Sequence, residues 1–111
     1  MEKVDKYRQV IQTFLKDYVS VPVANGEIES YTVFDVADDH YQVMSVGWRG
    51  HCRVYGCVLH LDIKDEKVWL QQNSTEVRVG HELMAMGVAR EDIVLGFQPP
   101  ALRQYTEFAT A

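Results

Sequence analysis

The sequence predicts an α+β fold: an N-terminal helix, a four-stranded antiparallel meander, then a second helix and a C-terminal segment. Three observations lead there. Apolar residues recur every three or four positions over residues 2–19. The period drops to two from Ile28 to Gln72. Short polar pairs, Asp38-Asp39, Arg49-Gly50 and Asp65-Glu66, interrupt that second stretch. The longer period marks one face of a helix and the shorter one a face of a strand, and short connections force antiparallel neighbours.

The first helix is carried by Val4, Tyr7, Ile11, Phe14, Leu15 and Tyr18, which fall on one stripe. Lys3, Lys6, Gln9, Lys16 and Asp17 mostly fall off it. Pro22 and Asn25-Gly26 then punctuate the chain. Strands are predicted near 28–37, 40–48, 53–63 and 67–72. With Asp65 and Glu66 as turn residues, Ile63 faces Val68 and Leu61 faces Leu70. Continuous alternation adds Tyr55, Cys57 and Leu59 to that sheet face. Met44, Val46 and Trp48, then Tyr31 and Val33, complete it, and the first helix should cover it.

The same alternation gives the opposite face Phe34, Val36, Tyr41, Val43, Val54, Val58 and Trp69, with His60 and Asp62 among them. A face washed by water is usually polar. Something is expected to cover it: the helix near 75–86, the tail from Pro99, a second copy or a partner. One short helix and a short tail suffice for about half of a four-stranded face, so it is expected to be an interface, buried in a homodimer or a hetero-complex.

A second helix is predicted near 75–86. Ser74 or Thr75 would cap it and Gly87 would end it. Gly80 inside it costs about 1 kcal/mol relative to Ala. Residues 89–92 read as one turn, and Ile93-Val94-Leu95 as a short apolar strand or core segment. Pro99-Pro100 opens a tail with Tyr105 and Phe108 as anchors.

The chain has 111 residues, 47 % of them hydrophobic, which fits one domain over 1–111 with a real core. Its formal net charge of −5, from 11 basic and 16 acidic residues, argues against a surface built for phosphate. The charged start, Met1 to Lys6, lacks an apolar leader, and no apolar run has membrane length. A cytoplasmic protein is therefore expected, without a membrane partner. In that compartment the glycosylation pattern at Asn73-Ser74-Thr75 carries no meaning, and Cys52 and Cys57 are no disulfide framework.

Candidate chemistry fails on geometry. Cys57 and His60 have opposite parity in one strand and point to opposite faces. Cys52 and His60 lie about 26 Å apart on a straight strand at ~3.3 Å per residue. No zinc site and no other cofactor is expected. Cys57 reads as an inert core thiol, and Cys52 beside His51 lacks a third group to orient the imidazole. His60 and Asp62 share a face about 7 Å apart along the strand. That is close enough for acid–base work, which would make an enzyme around them. They read rather as a polar island or as partner-recognition residues, and the chain is not expected to be an enzyme. Gly-rich phosphate loops are absent. Trp48, Arg49 and Arg53, with His51, cluster at one sheet end and are the candidates for direct nucleic-acid contact, with a packed Trp beside two surface arginines as the other reading.

Longer segments carry more than these motifs. They are Asp39-His40-Tyr41-Gln42-Val43, Val46-Gly47-Trp48, the run Arg53 to Asp65, Val68 to Asn73, and Thr75-Glu76. Met86-Gly87-Val88, Asp92 to Phe97 and Arg103 to Ala109 follow in the same order. Together they resemble the XisI-like family, the fdxN element excision controlling factors, over nearly the whole chain. The pattern departs at Val77 to His81, where the family is more acidic and helix-forming, and at His51-Cys52. The resemblance implies an α+β fold of that family. It implies a role in controlling the programmed excision of a DNA element in cyanobacteria, where a separate site-specific recombinase cuts and rejoins DNA. It also implies a XisH-like partner of nuclease fold, and it supplies no catalytic residues.

Overall fold

The computed structural model describes residues 2–21 and 27–111. The punctuation expected at Pro22 and Asn25-Gly26 lies outside them. Helix α1 spans Glu2–Val19. Strands β1 (Glu27–Asp35), β2 (His40–Arg49), β3 (Cys52–Lys64) and β4 (Lys67–Asn73) follow as the antiparallel meander the alternation predicts. Helix α2 spans Val79–Ala85, a 3-10 turn Arg90–Asp92, strand β5 Ile93–Leu95 and helix α3 Pro100–Arg103. Among the described residues the sheet therefore has five strands rather than four, in chain order. It is mixed, because β5 lies parallel to β4. The connection through α2 carries the chain back over the sheet, so Ile93-Val94-Leu95 enters in the same direction as β4.

Two turns show why the hairpins close where they do. Asp65 and Glu66 both adopt positive φ, 54° and 63°, the two-residue geometry that matches strand twist. At Arg49-Gly50, Gly50 supplies φ 64°. Gly47 is needed for a different reason: a Cβ there would overlap the Glu27 carbonyl oxygen on β1.

The core lies between α1 and one sheet face. Tyr7, Val10, Ile11, Phe14 and Leu15 meet Tyr41, Val43, Leu59, Leu61, Val68, Leu70 and Ile93, all buried. Burial of one such side chain is worth roughly 1.5–3 kcal/mol. Polar clamps fix the helix at two places. Arg8 donates to both carboxylate oxygens of Asp39, at 2.8 and 3.0 Å, and Tyr41 Oη donates to Asp39 Oδ1 at 2.8 Å. Tyr7 Oη donates to Asp92 Oδ2 at 2.6 Å, and Lys3 pairs with the same oxygen at 3.0 Å.

The predicted faces are wrong as sets. Both hairpins have the expected register: Phe34 faces Tyr41, Leu61 faces Leu70 and Ile63 faces Val68. Between β2 and β3, however, Val43 faces Leu59 while Met44 faces Cys57. Val58 is an extra residue, a β-bulge, and it inverts side-chain parity along β3. Tyr55 and Cys57 therefore point away from α1 while Leu59 and Leu61 point toward it. Phe34, Tyr41 and Val43, expected at an interface, pack under α1, with Tyr41 and Val43 fully buried. Val36 sits in the β1–β2 turn, and Val58 is half-buried against the core. Conversely Tyr31, Val33, Met44, Val46 and Trp48, expected under the helix, lie on the far face.

Helix α2 is shorter than expected. Asn73 Oδ1 accepts from the Thr75 amide and hydroxyl, Thr75 Oγ1 accepts from the Val77 amide, and Asn73 Nδ2 donates to the Val77 carbonyl. These local bonds replace helix over 74–78, and neither Ser74 nor Thr75 caps α2. Gly87, at φ 105°, does end it. Gly80 stays bare because its Cβ would lie 2.5 Å from Phe108 Cζ. Phe108 is thus a true anchor of the tail, whereas Tyr105 is 79 % exposed.

Candidate interaction face

The face turned away from α1 is built by three consecutive strands and divides into three zones. The first is apolar. Tyr31 and Val33 on β1 stand beside Met44 and Val46 on β2, and these beside Cys57 and Tyr55 on β3. Tyr31, Val33 and Tyr55 are 42, 43 and 70 % exposed. Glu27, Glu29 and Asp35, on the same face of edge strand β1, form an acidic rim.

The second zone lies at the Gly50 end. The Arg53 guanidinium stacks 5.2 Å from the Trp48 ring and 6.0 Å from the Tyr55 ring. Trp48 is 48 % exposed, but Arg49, the next residue along β2, has the opposite parity and lines a groove on the α1 side with Tyr18, Ser45 and Val54. Of the cluster expected of Trp48, Arg49 and Arg53, the structure brings Trp48 and Arg53 together and leaves Arg49 on the other face.

The third zone is polar and lies toward β4. His40 is paired with Asp62 across β2–β3, and His60 precedes Asp62 by two residues on the same face. His40 Nδ1 and His60 Nε2 each lie 2.8 Å from Asp62 Oδ1. The other oxygen, Oδ2, accepts from Gln71 Nε2 at 3.2 Å. Gln71 is itself the extra residue of a second bulge, where His60 faces Gln72 but Leu61 faces Leu70. Burial alone would push the Asp62 carboxyl up, but the hydrogen bonds from His40 and His60 outweigh it and hold it below the usual carboxylate range. The same bond to Asp62 raises the His40 imidazole. His60 and Asp62 were legible as a pair; His40 was not, because only the strand register brings it to them.

Beyond Asp62 the face is closed from within. Trp69 pairs with Asp62 across β3–β4 and is nearly buried. Lys64 Nζ and the Arg103 guanidinium lie 4.5 and 5.2 Å from its ring. Ala109 bonds to Ile93 and bridges Val94. The tail thus covers Trp69, which removes it from the expected interface set. Of that set, His60 and Asp62 remain on the open face. Cys57, expected in the core, is half-buried there, and burial raises its thiol pKa.

The chain matches the XisI protein family over residues 1–110. It belongs to the XisI family. The fold agrees: the crystal structure of a XisI-like protein from Anabaena variabilis aligns with a TM-score of 0.89 at 47 % identity, over 97 % of this chain and 99 % of that one. That of the fdxN element excision controlling factor XisI from the same organism aligns with a TM-score of 0.82 at 33 % identity, over 98 % and 99 %. No curated protein is matched by the sequence. No helix among the described residues is long and apolar enough to cross a membrane.

Proposed function

We propose that this XisI-family chain is a non-catalytic accessory factor that acts by binding another protein. Its role is control of the programmed excision of a DNA element by a site-specific recombinase. The partner is a XisH-like protein of nuclease fold or a second copy of the chain, met in the cytoplasm, with residues 1–111 acting as one domain. The controlling role is supported by family membership and by the relative described as an fdxN element excision controlling factor. The binding role is carried by one observation, the open face of Tyr31, Val33, Met44, Val46 and Tyr55. Contiguous exposed apolar side chains mark interaction sites, and Tyr and Trp are the side chains that dominate such contacts. Co-expression with a XisH-like protein tests it. A stable complex or a dimer is expected in the wild type. Tyr31→Glu with Tyr55→Glu should abolish it without lowering the melting temperature.

A second reading is favoured by the Arg53 stack. Arg53 with Trp48 and Tyr55 combines a cation with aromatic rings, the kind of side chains on which single-stranded bases stack, and Arg49 lies at the same sheet end on the other face. Against it stand the net charge of −5 and the acidic rim of β1. Titration with DNA at low and moderate salt separates the two readings, because phosphate-driven affinity falls steeply with salt. Binding should be weak and nearly unchanged by Arg49→Ala with Arg53→Ala. Sub-micromolar, salt-sensitive binding lost in that variant would establish the second reading.

A further inference from the structure

We propose that His40, His60 and Asp62 form a binding site for a divalent borderline metal ion, zinc above others, on the open sheet face. The three donor atoms lie within 4.8 Å of one another, and both imidazole nitrogens converge on the same oxygen of Asp62. Zinc held at ~2.0–2.2 Å by nitrogen and oxygen donors requires ligand atoms about 3.3 Å apart in a tetrahedron. The two nitrogen–oxygen contacts of 2.8 Å therefore need to open by about half an ångström, and the two imidazole nitrogens, within 4.8 Å of each other, to close by at most about 1.5 Å, which side-chain rotations supply.

The surroundings match what such sites carry. Gln71 holds the second carboxylate oxygen, so Asp62 presents Oδ1 alone. The bulge at Gln71 sets that amide where a regular strand residue would not be, and bulges commonly re-aim a side chain beside a site. Gln42 Nε2 lies 3.5 Å from His60 Nδ1, on the side away from the donor nitrogen. With the metal on Nε2, turning the Gln42 amide over would let its oxygen accept from Nδ1–H, the outer bond that fixes a ligating imidazole. The donors stand on paired strands rather than on a loop, which makes their spacing rigid. His40 is 54 % exposed while Asp62 is only 15 % exposed, so the site opens to solvent on the His40 side and water completes the coordination.

The donor set also selects the ion. Two imidazoles and one carboxylate suit zinc, cobalt, nickel or copper. Magnesium and calcium require oxygen donors. The cysteines are not part of the set: Cys52 is the first residue of β3, paired with Arg49 at the far end of the sheet, and Cys57 directs its thiol to the Leu59 carbonyl at 3.1 Å. The inference stands apart from the protein-binding proposal, since ion uptake needs no partner.

The test uses the full chain, stripped with chelator and titrated with zinc chloride by calorimetry, with cobalt(II) as a spectroscopic probe. One zinc per chain is expected, with a rise in melting temperature. Asp62→Asn, which keeps the side chain's shape, and His60→Ala should each weaken binding at least tenfold and remove the rise. Gln71→Ala should weaken it about tenfold, the usual effect of an outer-shell partner. His51→Ala and Cys52→Ser should change nothing, magnesium should not compete, and cobalt should give no thiolate charge-transfer band. No saturable uptake at millimolar zinc would overturn the site. So would equal affinity in wild type and Asp62→Asn, or a thiolate band lost on replacing a cysteine.

Discussion

The two halves of β3 are the same strand with opposite habits. From Leu59 to Lys64 its large apolar residues point under α1, and Leu59 and Leu61 are fully buried. From Cys52 to Cys57 its large residue, Tyr55, points to solvent. On the helix side of that half, Gly56 faces Ser45, whose hydroxyl meets Ser30 at 2.8 Å. Small residues there leave a groove of about 660 Å³ between the sheet and the end of α1, lined by Tyr18, Val19, Ile28, Val54 and Val58 among others. One extra residue, Val58, separates a half that builds the core from a half that builds a surface. Hydrophobicity along a strand therefore says little about destination until parity is known.

The largest test of this contrast pairs two truncations on the one strand. Leu61→Ala should lose about 2–5 kcal/mol in urea unfolding, as cavity-forming core changes do. Tyr55→Ala, the larger deletion, should stay within about 0.5 kcal/mol. Similar losses would mean the parity inversion is misplaced.

A second test probes the clamp at the core-building end. Tyr7→Phe removes the hydroxyl that donates to buried Asp92, and a bond to a charged acceptor is worth about 1.5–3 kcal/mol. The effect should depend on pH. Burial alone would raise the Asp92 carboxyl, but the bonds from Tyr7 and Lys3 win and hold it below its ordinary value. A lowered carboxylate contributes stability that is complete above the unfolded pKa, roughly 3.9, and lost as pH falls through the folded value. Asp92→Asn should therefore show a shallower loss of stability below about pH 4 than the wild type. An identical acid limb in both would contradict the clamp.

The smallest effect belongs to the turn that joins the core-building half to β4. Glu66 holds φ 63°, which a glycine adopts without strain. Glu66→Gly should stabilise by a few tenths of a kcal/mol, because relief of strain slightly exceeds the added freedom of the unfolded chain. A clear loss in urea unfolding would show that the side chain is needed there.

These contrasts also mark how far the sequence could be read. The stripe of Tyr7, Ile11 and Leu15 identified the face of α1, since helical spacing leaves one choice. The pairing of Ile63 with Val68 followed from a two-residue turn. The Val58 bulge is marked only by Gly56 two residues before it and by the apolar run Cys57-Val58-Leu59, and neither says which residue is the extra one. That hidden residue moved Tyr41 and Val43 into the core and Tyr31 and Val33 out of it. His40 stayed hidden for a related reason, because it meets His60 and Asp62 only through the register of β2 on β3. The tail was legible as far as Phe108, but nothing in Arg103 announced that it would lie over Trp69.

The central proposal is that the outward face is the contact surface. Oxidative footprinting of the purified chain, alone and saturated with a XisH-like partner, addresses it residue by residue, and at high and low concentration it addresses self-association. Tyr31, Trp48 and Tyr55 are exposed and react readily when free, and Tyr105, 79 % exposed and outside the face, is the internal control. Protection of Tyr31 and Tyr55 by several-fold on complex formation or self-association, with Tyr105 unchanged, is the predicted result. Equal reactivity of Tyr31 and Tyr55 in every state, or protection confined to Tyr105, would contradict it.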